Sequence, residues 1–145
     1  MKRLQSLLLW AFAISSFALY ADDEFSKDVG PYIVHYSVFN SDFLTPEVAR
    51  QYGLTRSKSL ALINVSIIDK ATQQGISASV RGNAYNLAGQ NKSLAFKEIK
   101  EQNAIYYIAN FRFSNEERLS FKLIISPDGS TDEYAVDFTK TVYVN

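Results

Sequence analysis

The sequence contains no cysteine, and this absence excludes several kinds of chemistry at once. Disulfides, thiolate metal sites, cysteine nucleophiles and a lipid anchor on an N-terminal cysteine all require that residue. Histidine is scarce too, because His35 is the single one in the chain. Cysteine, a common nucleophile, is absent, and histidine, a common base, occurs once. We therefore expect a protein that is not an enzyme and that uses no metal or cofactor.

Neither sign of charge is in excess, since 15 lysines and arginines stand against 15 aspartates and glutamates. A nucleic-acid-binding domain needs a broad positive field that neutralises phosphates. The balanced composition therefore argues against nucleic acid as the main partner.

The first residues have the three-part layout of a secretory signal peptide. Lys2 and Arg3 precede a mostly apolar run at residues 4–20, and an acidic stretch follows at residues 22–24. Cleavage after Ala18 or Ala21 fits this layout, so we assign residues 1–21 to the signal and residues 22–145 to one mature domain. The alternative is an uncleaved membrane anchor, because the apolar run has about the minimum length that spans a bilayer.

Removal of the signal changes the charge balance and the expected location. It takes away Lys2 and Arg3, which leaves 13 basic residues against 15 acidic ones, and it takes away Trp10, the only tryptophan. No membrane span is then expected in the mature chain. A cysteine-free exported domain is common in the periplasm of Gram-negative bacteria, and we predict that location.

The mature chain alternates apolar and polar residues with the period of two that is typical of β-strands. Seven stretches show this alternation, at residues 32–39, 60–69, 76–86, 94–101, 105–113, 119–125 and 134–144. Their number and spacing predict an all-β fold, an antiparallel two-sheet sandwich of immunoglobulin-like type, with a small barrel as the rival. The charged residues of the fourth stretch, at 97–101, are typical of a sheet edge.

One connection, at residues 40–57, interrupts this rhythm with the signals of a short helix. Thr45 is suited to the N-cap, Pro46 to the first helical position and Gly53 to the C-terminal cap. Long loops in compact domains are often functional. The interpretation that we favour is a crossover whose apolar residues plug the open end of the sandwich, namely Phe43, Leu44 and Tyr52.

Several short motifs carry a resemblance to a known family. They are the segments at residues 36–40, 43–49, 52–58 and 64–66, which read YSVFN, FLTPEVA, YGLTRSK and NVS. In these segments the chain resembles a small exported family of Gram-negative bacteria that is known as domain of unknown function 4426. The resemblance covers most of the mature chain and implies a periplasmic β-sandwich, but it implies no activity and no site residues.

Catalytic and metal motifs are weak. Ser37 lies on the same strand face as His35, yet no Gly-x-Ser-x-Gly turn accompanies the pair. Asp128, Ser130 and Asp132 have the spacing of a calcium loop, but threonine stands at position 12, where a glutamate is required, so a hairpin turn is the better interpretation. A small hydrolase with an unrecognised carboxylate or histidine site remains the alternative to a binding protein.

Two groups of residues are candidates for binding a partner. The first is an exposed face of tyrosine and arginine, in which Arg81, Tyr85, Tyr106 and Arg112 fall on the polar halves of their strands. The second is the basic loop cluster of Tyr52, Arg56 and Lys58, for which a solvated loop with ion pairs to Glu47 or Asp42 is the alternative.

From these patterns we predict an exported binding module without enzymatic activity, whose partner is another protein of the cell envelope. A chaperone-like accessory protein that adds a client strand at the edge formed by residues 94–101 is a further alternative.

Overall fold

The strands pair in two antiparallel sheets, as a computed structural model shows for residues 25–145. The predicted signal peptide and its cleavage site lie outside these described residues. The strands are β1 (Ser26–Val29), β2 (Tyr32–Asn40), β3 (Leu60–Asp69), β4 (Ala78–Asn86), β5 (Asn91–Leu94), β6 (Lys97–Glu101), β7 (Ala104–Arg112), β8 (Glu117–Pro127) and β9 (Tyr134–Val142).

The two sheets are interleaved along the chain. The five-stranded sheet has the order β1-β2-β3-β7-β6, and the four-stranded sheet has the order β5-β4-β8-β9. Every neighbouring pair is antiparallel. The all-β fold of two antiparallel sheets is therefore confirmed.

The core lies between the sheets and consists of the alternating apolar positions that the sequence indicates. Its centre is a row of aromatic rings in which Phe121 contacts Phe111 edge-on at 5.5 Å and stacks on Phe138 at 4.7 Å between ring centroids. Tyr36 stacks on the same Phe138 at 4.0 Å. Because Tyr36 and Phe111 belong to one sheet and Phe121 and Phe138 to the other, these rings join the sheets into a β-sandwich.

The strand count of seven is wrong, because the described residues form nine strands. One added strand is β1, which forms a hairpin with β2 around Gly30, a glycine with a φ of 53°. The other arises because the predicted strand at 94–101 is two strands. β5 pairs with β4 in one sheet, and β6 pairs with β7 in the other, so the chain changes sheets at residues 95–96.

The helix predicted in the long connection is present as α1 (Pro46–Tyr52), after a short 3-10 turn at Ser41–Phe43. The Thr45 hydroxyl accepts a hydrogen bond from the Val48 amide, and Gly53 has a φ of 66°, which suits a C-terminal cap. Both cap predictions are confirmed.

The connection does not plug the open end of the sandwich as predicted. It lies on the outer face of the five-stranded sheet, where Leu62 points away from the core and yet has no exposed surface. The Lys97 ammonium of β6 donates to the Tyr52 carbonyl, and Phe43, which is 65% exposed, contacts Phe39 of β2. The loop therefore covers part of the outer face of the five-stranded sheet.

Candidate binding groove between two sheet edges

The first wall of the groove is the second half of β2. β1 pairs with β2 only from Tyr32 to His35. On that side, residues 38–40 have no neighbouring strand within the part of the chain that the structure describes. Val38 is half-buried there, and Asn40 ends the strand.

The second wall is β9, the edge strand of the four-stranded sheet. The carbonyl of Asp137 accepts a hydrogen bond from the Lys27 ammonium, and the carbonyl of Tyr143 accepts one from the Asn40 amide at 2.6 Å. Both carbonyls therefore point away from β8. Since backbone direction alternates along an antiparallel strand, the N–H and C=O groups of Thr139 and Thr141 point to the same open side.

A groove runs between these two edges. It consists of a concavity of about 440 Å³ that includes Phe25, Tyr36 and Phe138 and a second one of about 260 Å³ that reaches Tyr143, and both share Val38 and Lys140. We call these two concavities the edge groove. Its floor is apolar and aromatic, and its rim is formed by strand backbone.

The charge of the edge groove is positive. Lys27 and Lys140 line it, and the Lys140 ammonium lies 5.4 Å from the centroid of the Phe25 ring, a cation–π distance. Asp137 also lines it, but this residue stands directly opposite Lys122 in the β8–β9 pair. A ligand in the groove therefore meets two lysines and an aspartate that already has a cationic neighbour.

The predicted basic loop cluster has a structural role at Arg56. Its guanidinium donates to the Leu44 carbonyl at 2.6 Å and to the Asp42 carbonyl at 3.2 Å. Arg56 therefore holds the loop closed through backbone oxygens and not through the carboxylates of Asp42 or Glu47. Lys58 is exposed and Tyr52 is half-buried beside this loop.

The predicted tyrosine and arginine face is not one surface. Arg81 and Tyr85 lie on β4 of the four-stranded sheet, whereas Tyr106 and Arg112 lie on β7 of the five-stranded sheet, so the two pairs occupy opposite outer faces of the sandwich. The alternation places each of these residues on the outer side of its strand, but it does not indicate to which sheet a strand belongs. Arg81 forms an exposed ion pair with Glu133 at 2.9 Å.

Tyr106 is half-buried on its outer face. Burial, and to a smaller extent the neighbouring carboxylate of Glu101, raise the pKa of its hydroxyl. The ring therefore stays neutral in any physiological medium and acts as an apolar and hydrogen-bonding group.

His35 shows no arrangement that would make it a base among the described residues. It is exposed on β2 opposite Ser66, and partial burial of its ring lowers its pKa. No hydrogen bond to its ring is present in residues 25–145, and that part of the chain holds no group of three histidine or acidic residues close enough to bind a metal. The Asp128 segment forms the connection between β8 and β9, as predicted.

A buried hydroxyl that the sequence did not single out ties the two sheets together. The Tyr107 hydroxyl donates to Glu98 at 2.8 Å and accepts from the Ala78 amide at 2.8 Å. Burial is the main cause that raises the pKa of Tyr107 to about 12. Its partners lie 9 and 29 residues away in sequence, so no local pattern indicates them.

A partly buried ion pair links β8 to β5 in the four-stranded sheet. Glu117 contacts the Lys92 ammonium at 3.1 Å and accepts hydrogen bonds from the Asn86 side chain at 2.9 Å and the Ser114 amide at 3.0 Å. Burial alone would raise the pKa of Glu117, but these hydrogen bonds and the lysine charge outweigh it and lower the pKa below its usual value of 4.5.

We predict that Glu117→Gln lowers the free energy of unfolding at pH 7 by about 1.5 kcal/mol, because the lysine loses its charged partner. A lowered carboxyl pKa contributes stability above pH 4.5, and this contribution disappears as the pH falls through the folded-state pKa. Urea titrations from pH 7 to pH 3 should therefore show the two proteins converging in acid. The control is Glu133→Gln, whose ion pair is exposed and should contribute less than about 0.5 kcal/mol. A constant difference at all pH values would contradict the role of the charge.

Comparisons with known proteins identify a family. The model of the family described as "Domain of unknown function (DUF4426)" matches residues 26–145. The crystal structure of a DUF4426 family protein from Pseudomonas aeruginosa PAO1 is similar, with a TM-score of 0.74 and 36% sequence identity over 83% of this chain and 94% of that one. No curated protein matches the chain.

A second solved structure shares the fold. It is FetP of uropathogenic Escherichia coli strain F11, recombinantly expressed in the periplasm of E. coli, with a TM-score of 0.61 over 83% of this chain and 93% of that one. At 10% sequence identity this similarity concerns the fold alone. Within residues 25–145 the structure has no helix that is long and apolar enough to cross a membrane.

Proposed function

Because this chain belongs to the protein family described as domain of unknown function DUF4426, we propose that it is an exported periplasmic module that binds another envelope protein in its edge groove, without catalysis. The observation that carries this proposal is the edge groove itself. Two strand edges, an apolar floor and a positive rim meet there.

The geometry of the groove favours a protein partner over a small substrate. Its two concavities are open and continuous along β9, and the rim at Thr139 and Thr141 offers backbone donors and acceptors. Enclosed pockets with convergent polar side chains are typical of enzymes and small-ligand sites. An elongated edge with free backbone groups is typical of peptide recognition.

Export to the periplasm is supported by the sequence layout of the first 24 residues, a basic start, an apolar run and an acidic segment.

We also propose that the sandwich is of immunoglobulin type. The order β2-β3-β7-β6 is the order A-B-E-D of that fold, and β4-β8-β9 is its order C-F-G. In this assignment β1 and β5 are additions at one edge of each sheet.

A photo-crosslinking amino acid at Thr139 tests the function. In living cells, we expect it to capture a defined envelope protein, because position 139 lies at the open side of β9. The matched control is the same amino acid at Ser93, an exposed residue on β5 at the other edge of the same sheet. Equal capture from both positions, or none from Thr139, would contradict binding in the edge groove.

A further inference from the structure

We propose that the edge groove takes an extended segment of the partner that adds to β9 as a further strand, and that this segment alternates apolar with acidic side chains. This inference rests on the proposed function and names the kind of partner and its mode of binding. Three features of the groove carry it: its backbone groups, its floor and its charge.

The backbone of β9 supplies the pairing groups. The outward carbonyls of Asp137 and Tyr143 already accept hydrogen bonds from Lys27 and Asn40. Between these two bridges, Thr139 and Thr141 present outward N–H and C=O groups with no hydrogen bond inside the described chain. A further strand, antiparallel or parallel, can form hydrogen bonds with the free N–H and C=O groups of two such alternate residues. The bridges also limit the paired segment to about five residues, the length of a typical strand.

The floor of the groove selects apolar side chains at every second position. A strand added to β9 continues the four-stranded sheet, so alternate side chains point toward the five-stranded sheet. There they meet Tyr36 and Val38, and the ring of Phe25 lies beside them. The remaining side chains point to solvent on the outer face of the sandwich.

The charge of the groove selects acidic residues over basic ones. The Lys27 ammonium lies at the Asp137 carbonyl, on the open edge of β9, and Lys122 and Asp137 stand opposite each other on the outer face. The outward side chains of the added strand therefore meet two lysines and one aspartate. Lys140 stands opposite the buried Leu119, so it lies on the inner side and contacts the floor instead. Lysines at a strand edge discourage pairing with apolar or basic strands, and they favour a segment that carries carboxylates.

The other sheet edges are less suited to this role. β1 and β5 have four residues each, which gives little pairing length. β6 has five residues, of which four are charged, and its Lys97 is bonded to the Tyr52 carbonyl. β9 has nine residues and is the longest edge strand among the described residues.

The test uses a nine-residue synthetic peptide in which valine alternates with glutamate, and isotope-labelled protein purified from the periplasm after export. We expect this peptide to shift the amide signals of Thr139 and Thr141 and to slow their hydrogen exchange at least about tenfold, because new backbone hydrogen bonds protect them. The same peptide with lysine in place of glutamate should bind at least about tenfold more weakly.

A proline variant separates strand pairing from other binding. Thr139→Pro removes an N–H that the β8–β9 pair does not use, so the melting temperature should change by only a few degrees while peptide binding falls at least about tenfold. The control is Ser93→Pro on β5. The Gln90 carbonyl accepts a hydrogen bond from the Asn86 amide of β4, and because backbone direction alternates along β5, the N–H of Ser93 points away from β4. This control should bind the peptide like the parent protein.

The outcomes distinguish the inference from the function. In one outcome, position 139 crosslinks to a partner in cells while the acidic peptide fails to slow exchange of the Thr139 amide. This result would contradict strand addition but not the proposed function. Slow exchange at Thr139 in the protein alone overturns the inference as well, since the groove is then filled by the chain's own N-terminal residues or, if the protection depends on concentration, by a second copy. Equal binding of the glutamate and lysine peptides overturns the acidic preference.

Discussion

A protein that carries Phe121→Ala should have a free energy of unfolding about 4 kcal/mol below that of the parent chain. The Phe121 ring has no exposed surface and contacts Phe111 of one sheet and Phe138 of its own. Its removal takes away buried apolar area and leaves a cavity at the centre of the sandwich. The nine strands are hydrogen-bonded in both sheets, so they have little freedom to close that space.

Urea unfolding followed by tyrosine circular dichroism measures this loss. The matched control is Phe43→Ala, because Phe43 is 65% exposed in the loop and its truncation should change the free energy by less than about 0.5 kcal/mol. A loss below about 1.5 kcal/mol for Phe121→Ala would mean that the aromatic row does not hold the sheets together. Without disulfides, no covalent link could compensate for such a loss.

The strands that line the core could be predicted from the sequence. In β8, Leu119, Phe121, Leu123 and Ile125 alternate with exposed or half-exposed residues, and all four are fully buried. The period of two in the sequence indicates the buried positions, because one face of each sheet lies on the core and the other meets solvent.

The change of sheet at residues 95–96 could not be predicted, for a physical reason. Leu94 on β5 and Phe96 in the connection to β6 both pack on the same core. The apolar alternation therefore continues across the change as if there were one strand. β1 was missed because Ser26–Val29 has only one apolar residue and both of its faces are partly exposed.

The candidate site depends on strand order, which no local pattern encodes. Thr139 and Thr141 look like any polar residues on a half-buried strand, and only the position of β9 at a sheet edge gives their backbone groups a binding role. Arg56 shows the opposite error. An arginine near an aromatic residue indicates an anion site, but in the structure backbone carbonyls occupy its guanidinium.

The same contacts that join the two edges also delimit the groove. Lys27 reaches from β1 to the Asp137 carbonyl, and Asn40 reaches from β2 to the Tyr143 carbonyl. These side chains cover two of the outward carbonyls of β9 and so protect the ends of an edge that would otherwise pair with any strand. The uncovered centre of β9 is short, so it can pair with only a short strand.

The second large effect is expected at Gly82, where β4 leaves no room for a side chain beside β8. Gly82 pairs with Leu123, and a Cβ atom at position 82 would lie 2.4 Å from the Lys122 carbonyl oxygen and 2.7 Å from a Leu123 methyl carbon. Because one of these atoms belongs to the backbone, the strands themselves must shift. We predict that Gly82→Ala lowers the free energy of unfolding by about 3 kcal/mol, at the upper end of the usual cost of overpacking.

The control for Gly82→Ala is Gly75→Ala. The nearest atom to a Cβ at position 75 would be the Ile105 amide nitrogen at 3.6 Å, which is ordinary van der Waals contact, and the φ of Gly75 is not in the left-handed region. Alanine there should leave the stability unchanged or raise it by about 0.5 kcal/mol, because the unfolded chain loses freedom. The same gain applies at Gly82 and is too small to offset the clash. If both variants unfold at the same urea concentration as the parent, β4 and β8 can move apart at no cost in free energy. The contact at Gly82 then does not fix the position of β8, nor that of β9 beside it.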